Sequence, residues 1–310
     1  MNHRVSVVIP TFNRALDLAK ALDSVLQQTY SEWEILVIDN RSADCTYDVV
    51  QRLNDKRIRY FEIENKGVIA ASRNLGISQS NGEFIAFLDS DDRWRREKLK
   101  ESVFWLGRGY DIVYHDMDCV TNKRCYLGPR KFSTRQVEPP VYIDLLVNGN
   151  TLPTSSVVAR KDVLVKAGCF NEAMEMIAGE DYELWLRLGT LTERFKRIDG
   201  TLGYLTRGSD NEFTSRRVMS FLAEIEKKHI ALLLPTERDL AFANWIDYAY
   251  GRSRYTQKDY VGATGHLIRA LTSSNNLSSR IKAMYMLIAI VIRKAIGYQT
   301  QESGEGGTRY

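Results

Sequence analysis

Two hydrophobic periods alternate along roughly the first ninety residues of this chain, and that alternation leaves few folds open. The run Val5-Ser6-Val7-Val8-Ile9 is short and almost continuously apolar, as in a strand buried on both faces. Residues 13–29 then place Leu18, Leu22, Val25 and Leu26 on one face of a helix. The pattern repeats with strands at 34–38, 57–61 and 83–88 and helices at 45–53 and 68–79. Strands that alternate with helices of this length predict an α/β fold, a Rossmann-like, mostly parallel sheet flanked by helices. Ligands of such sheets bind beyond the carboxyl ends of the strands. Those ends are Pro10-Thr11, Asp39-Asn40 and Asp89-Ser90-Asp91-Asp92, so polar groups should converge on one edge.

Further along, residues 111–207 predict shorter, mixed elements, with strands at 112–115, 156–160 and 202–206 and helices at 141–147 and 181–191. Beyond residue 215 the chain reads as helical, at 216–234, 237–250, 257–273 and 278–296. We expect a catalytic-type domain over 1–212, an all-helical C-terminal appendage over 213–298 and a solvated tail over 299–310, whose Gly/Ser/Glu bias cannot build a core. Ten consecutive apolar residues, Ala283 to Ile292, are bracketed by Arg280, Lys282, Arg293 and Lys294, too short a stretch to span a bilayer. They can serve as a core helix, a peripheral membrane contact or a homodimer contact.

Several chemistries are excluded. The net charge of +4 is too small to argue for a nucleic-acid partner. Cys45, Cys119, Cys125 and Cys169 lie far apart without a CxxC pair, which argues for free thiols rather than zinc or disulfides. His3, His115, His229 and His266 have no partners at metal-ligand spacing. There is no phosphate-binding GxxxxGK[ST] loop, no GxGxxG after a strand and no GxSxG elbow. The start of the chain runs into a strand without the apolar core of a secretory signal, so a cytoplasmic location is expected.

What remains is a set of carboxylates. Asp89 and Asp91 leave a strand end together and could share Mg²⁺ or Mn²⁺, whose hard oxygen preference extends to diphosphates. Asp39 could accept the imide N–H of a uracil or serve as a turn residue, and Arg73 could offer its fork of donors to phosphates or stand exposed on its helix. Asp181, in Gly179-Glu180-Asp181 at the start of a helix, is a candidate general base or an acidic N-terminal residue. The helix dipole would lower its pKa.

Taken in order, the segments Val5-Ser-Val-Val-Ile-Pro-Thr-Phe-Asn-Arg14, Glu34-Ile-Leu-Val-Ile-Asp-Asn40, Ala71-Ser-Arg-Asn-Leu-Gly76, Gly82-Glu-Phe-Ile-Ala-Phe-Leu-Asp-Ser-Asp-Asp92, Thr154-Ser-Ser156 and Gly179-Glu-Asp-Tyr-Glu-Leu-Trp185 resemble family 2 of the inverting glycosyltransferases, over about residues 4–210. The resemblance implies a GT-A fold and transfer of a sugar from a nucleotide diphosphate donor, a UDP-sugar, to a hydroxyl of a glycan or lipid-linked acceptor. It implies that Pro10, Thr11, Asn13, Arg14, Asp39, Arg73 and Ser90 bind the nucleotide, and that Asp91, with Asp89, binds Mn²⁺ or Mg²⁺. Asp89, Thr154, Ser155, Glu180 and Trp185 would meet the donor sugar or acceptor, and Asp181 would be the catalytic base. Relatives often have a His after the last sheet strand, where this chain has Tyr204-Leu-Thr-Arg-Gly-Ser209; Arg207 could neutralise the diphosphate instead. The alternative is a non-catalytic sugar-nucleotide or glycan-binding protein that retains the fold.

Overall fold

The computed structural model describes residues 3–121, 131–206, 212–275 and 277–302. The chain divides into two compact units, residues 1–145 with 150–209 and residues 146–149 with 210–310.

The first unit opens with β1 (Val5–Thr11), α1 (Ala15–Leu26), β2 (Trp33–Asp39), α2 (Thr46–Arg52), β3 (Ile58–Glu62), α3 (Ile69–Gln79) and β4 (Phe84–Phe87). Every residue of β1, β2 and β4 is buried, which is why these strands read as unbroken apolar runs. β1 pairs in parallel with β2 and β4, and the register sets Thr11 beside Asp39. Helix α3 lies so close to β1 that a Cβ on Gly76 would fall inside the Val8 side chain. That contact gives Gly76 a packing reason.

Then follow β5 (Arg93–Trp94), α4 (Lys98–Leu106), β6 (Ile112–Val120), β7 (Lys131–Phe132), α5 (Val141–Asn148), β8 (Val158–Arg160), α6 (Lys161–Lys166), α7 (Glu180–Gly189) and β9 (Phe195–Thr206). Among the described residues the strands form one mixed sheet in the order β3-β2-β1-β4-β8-β6-β9-β5, with β7 on β6. β8 runs antiparallel between β4 and β6, and only β5, β7 and β8 oppose the common direction. A register irregularity between β6 and β9 at residues 115–117 adds local twist to the sheet.

The strand expected at 156–160 is shorter, because Thr154–Ser156 forms a 3₁₀ turn ahead of β8. The strand expected at 202–206 is the second half of β9. α4 has no counterpart in the sequence reading.

The second unit contains α8 (Glu212–Lys228), α9 (Pro235–Ala241), a π-helical turn at Phe242–Ile246, α10 (Asp247–Thr256), α11 (Tyr260–Ser273) and α12 (Leu277–Glu302). α11 is capped by Asp259, whose side chain accepts from the Gly262 N–H at 2.9 Å. Ala263, Leu267 and Ala270 of α11 form a small core with Ala283 and Ile290 of α12. No helix among the described residues is long and apolar enough to cross a membrane. Cys125, Arg207 and the tail beyond residue 302 lie outside the described residues.

Candidate functional site

The ends of β1 and β4 and the start of α3 enclose a cleft of about 330 Å³. Pro10, Thr11, Arg14, Asp89, Ser90 and Asp91 line it, as the sequence suggested for this edge. Thr11 Oγ1 is buried without a hydrogen-bond partner, a polar atom left over in the wall of the cleft. Asn40, named at the end of the second strand, also lines the cleft, and Phe12, Asn65, Gly67, Ile69 and Ser72 line it without having been singled out. Asn40 Oδ1 accepts from the Asn65 N–H at 2.8 Å, and Asn65 Nδ2 donates to Ser72 Oγ at 2.8 Å. The signal available was the turn Asn65-Lys66-Gly67 after β3, where both Lys66 and Gly67 have positive φ.

Asn13 stands at φ 51°, a left-handed conformation that Asn tolerates, and its Oδ1 accepts from the Ala43 N–H at 2.7 Å. It therefore braces the loop after β1 and is absent from the cleft lining. Asp39 departs from expectation too. Its carboxylate is buried and already accepts from Ser42 Oγ and Tyr60 OH, each at 2.5 Å, and from the Ser42 N–H. A base edge would meet a carboxylate whose acceptor capacity is largely occupied.

Asp91 pairs with the half-exposed Arg14 at 2.9 Å. Burial pushes its pKa up, Arg14 opposes that, and the like charge of Asp89 adds to the rise. Asp92 points away from the cleft, accepting from the Thr206 N–H at 2.7 Å and so tying the acidic turn to the end of β9. Burial and then Asp89 raise its pKa strongly.

Arg73 is the main correction. Expected either to offer its fork to phosphates or to stand exposed on its helix, it is 3% exposed, with Nη2 on Asp89 Oδ1 at 2.9 Å and Nη1 on Glu180 Oε1 at 2.6 Å. Burial works against its charge, and the two carboxylates outweigh it, so its pKa is raised. The guanidinium that lines the cleft is Arg14.

A second bridge runs parallel to Arg73. Ser155 Oγ accepts from the Asp89 N–H at 3.0 Å, and the neighbouring Thr154 Oγ1 donates to Asp181 Oδ2 at 2.8 Å. Trp94 holds that turn from beneath, its Nε1 donating to the Ser155 carbonyl at 2.7 Å. Two separate connections thus join the acidic turn after β4 to the start of α7. Burial, followed by the adjacent Glu180, raises the Asp181 pKa to about 6, the reverse of the lowering expected from the helix dipole. Desolvation dominates here because the half-buried carboxyl is crowded by surrounding protein rather than displayed at a solvated helix end.

Trp185 is also corrected. It is fully buried, packs at an angle against the Phe87 and Phe170 rings, and donates Nε1 to the Leu152 carbonyl at 3.2 Å, leaving no surface for a sugar.

Among the described residues no three His, Cys, Asp or Glu side chains are grouped to hold a metal by themselves. Mg²⁺ and Mn²⁺ do not require such a cage: one or two carboxylates plus substrate phosphates suffice. Asp89 and Asp91, whose mutual repulsion raises the Asp91 pKa, fit a cation completed by a diphosphate.

The family model for glycosyl transferase family 2 matches residues 6–146. The chain is 30% identical over 191 residues to the UDP-Glc:alpha-D-GlcNAc-diphosphoundecaprenol beta-1,3-glucosyltransferase WfgD of Escherichia coli, covering 60% of this chain and 70% of that one. It is 37% identical over 138 residues to the GalNAc(5)-diNAcBac-PP-undecaprenol beta-1,3-glucosyltransferase of Campylobacter jejuni, where it spans 44% of each. The crystal structure of S. aureus TarS 1-349 in complex with UDP superposes with a TM-score of 0.63 at 23% identity, over 99% of this chain and 93% of that one, and supports the GT-A fold. The chain belongs to glycosyltransferase family 2.

Proposed function

We propose that the protein transfers a sugar from a UDP-sugar to a hydroxyl of a lipid-linked glycan by a single displacement that inverts the anomeric centre. The observation that carries this reading is the double link between the turn holding Asp89 and Asp91 and the helix start holding Asp181, through Arg73 and through Thr154-Ser155. It sets a candidate base and a candidate diphosphate end on one rigid frame. WfgD, named for transfer from UDP-Glc to a diphosphoundecaprenol-linked sugar, supports a UDP-sugar donor and a lipid-linked acceptor, and the UDP complex of TarS supports the donor.

Asp181 removes the proton of the acceptor hydroxyl as its oxygen attacks the anomeric carbon. A pKa near 6 lets it be ionised at neutral pH while keeping more proton affinity than an ordinary carboxylate. Asp89 and Asp91 would hold Mg²⁺ or Mn²⁺, which when bound stabilises negative charge on the departing diphosphate. Arg14 exchanges Asp91 for phosphate oxygens, while the Asn40–Asn65–Ser72 network shapes the nucleotide side of the cleft. Arg73 is a positioning residue. The proposed setting is the cytoplasmic face of a membrane carrying the acceptor lipid.

Nucleoside diphosphate release from a panel of sugar nucleotides, with Mn²⁺ and with chelator, tests the reading. Acceptor-dependent release from a UDP-sugar that chelator abolishes is the expected result. Donor binding with no release under any condition would point to a binding protein instead.

A further inference from the structure

Trp94 follows the acidic turn in the chain but is absent from the lining of the cleft. It is buried and fixed from three directions. Its backbone N–H donates to Ser24 Oγ of α1 at 3.1 Å, its backbone pairs with Gly203 of β9, and Lys98 of α4 sets its Nζ 3.8 Å from the ring centroid. The one polar atom of the indole, Nε1, donates to the Ser155 carbonyl at 2.7 Å. A ring held by α1, β9 and α4 sets the position of the turn it bonds rather than following it.

That turn carries the hydroxyl that meets the candidate base. Its own bonds use the Pro153 and Thr154 carbonyls, which accept from the Ser156 and Val157 N–H groups at 2.8 and 3.0 Å, while the Ser155 carbonyl goes to the indole. One residue before Ser155, Thr154 Oγ1 donates to Asp181 Oδ2 at 2.8 Å. Bonds of this kind work over about 2.5–3.0 Å, so a drift of the turn by about half an ångström weakens it. The charged groups that face Asp181 are Glu180 on its own helix and Arg73 from α3, and Thr154 is the neutral donor that favours its ionised form.

We propose that Trp94 is a positioning residue for the transfer reaction: through the Ser155 carbonyl, its indole N–H fixes the turn that aims the Thr154 hydroxyl at Asp181. This role rests on the reading of Asp181 as the base for its effect on turnover, but the hydrogen-bond geometry can be tested without any substrate.

The test is titration of the Asp181 carboxyl in the full chain, followed by carbon-13 NMR on aspartate-labelled protein and assigned with Asp181→Asn. The wild-type group should titrate at about 6. Thr154→Val removes the donor directly and should raise that value by about one pH unit, and Trp94→Phe, which keeps a ring but loses the N–H, should raise it by about half to one. The double variant should shift no further than Thr154→Val alone, because both changes break one chain of contacts. With the donor and acceptor pair that gives release in the wild type, Trp94→Phe should lower kcat at neutral pH by about threefold to tenfold and leave the donor KM within about twofold. If Trp94→Phe does not fold, Trp94→Met, whose flexible side chain fills the space without a donor, takes its place. A titration that the Trp94 variant leaves in place overturns the proposal, and so do shifts that add in the double variant. A shifted titration with unchanged turnover upholds the positioning and removes Asp181 from the role of base instead.

Discussion

The acidic turn after β4 and the start of α7 each present a carboxylate of raised pKa, yet they are built in opposite ways. Asp91 lines an open cleft and its counter-charge, Arg14, is half-exposed and free to exchange partners. Asp181 is half-buried, hydrogen-bonded to Thr154, and stands beside an Arg73–Glu180 pair withdrawn from solvent. The difference separates two tasks. A group that must receive an incoming charged ligand keeps a displaceable partner, whereas a group that must hold a proton affinity keeps a fixed, dry environment that needs no reorganisation during reaction.

The largest test of that contrast is Asp181→Asn. Turnover should fall by about 10²–10⁴-fold while the KM for donor stays close to its starting value, measured as nucleoside diphosphate release. The corresponding change Asp91→Asn should instead weaken donor binding together with turnover. If both variants lose donor affinity equally, the two carboxylates share one task and the contrast fails.

The pH dependence of the wild type follows from the same carboxyl. A base must be ionised, so kcat/KM should climb as pH rises through about 6 and level off above it. Stability should move the other way. A folded pKa raised above the ordinary 3.8 means that the folded state holds the extra proton in the intervening window. The contribution is complete below the lower value and is lost as pH rises through the upper one. Asp181→Asn should therefore be more stable than wild type at neutral pH, by up to about 2–3 kcal/mol, with the gain vanishing near pH 4. Chemical denaturation across that range checks it.

Next in size is the pair of arginines. Arg73→Met leaves Asp89 and Glu180 without their shared cation, a loss of about 3–5 kcal/mol in unfolding free energy. Arg14→Met removes a half-exposed pair and should cost about 1 kcal/mol or less, with its effect appearing in donor KM instead. Equal destabilisation by the two would erase the distinction between an open and a closed half of the site.

The strand ends of the open half were local signals in the sequence, whereas the closed half was named only through the family resemblance and the partners of its residues were not legible. β1, β2 and β4 are buried on both faces, so their apolar runs and the polar residues that end them are local signals. The closed half depends on partners distant in the chain. Nothing near Arg73 announces Glu180, 107 positions away, and nothing near Asp39 announces the Tyr60 hydroxyl. β8 enters between β4 and β6 through pairings that no local pattern encodes. α4 was hidden because its first residue, Lys98, is fully buried with its Nζ over the Trp94 ring and without a hydrogen-bond partner, a charged residue where periodicity calls for an apolar one. Trp185 was misread although the signal was present: Tyr182, Trp185, Leu186 and Gly189 repeat with helical spacing and mark a buried face. An aromatic residue inside a functional motif is still subject to the periodicity of its helix.

The smallest effect concerns how the closed half is held. Ala178 has φ 77°, a left-handed conformation that costs an ordinary L-residue about 1–2 kcal/mol, and its N–H donates to Glu180 Oε2 at 3.0 Å. The strain is thus maintained next to the residue that anchors Arg73. Ala178→Gly relieves it, although the unfolded chain gains freedom in return, so the net stabilisation should be about 0.5–1 kcal/mol. Turnover should change by less than about twofold, because Arg73 holds Glu180 independently of this backbone angle. A stabilised variant with a large loss of turnover would mean that the bent backbone, rather than the Arg73 bridge, sets the position of Asp181.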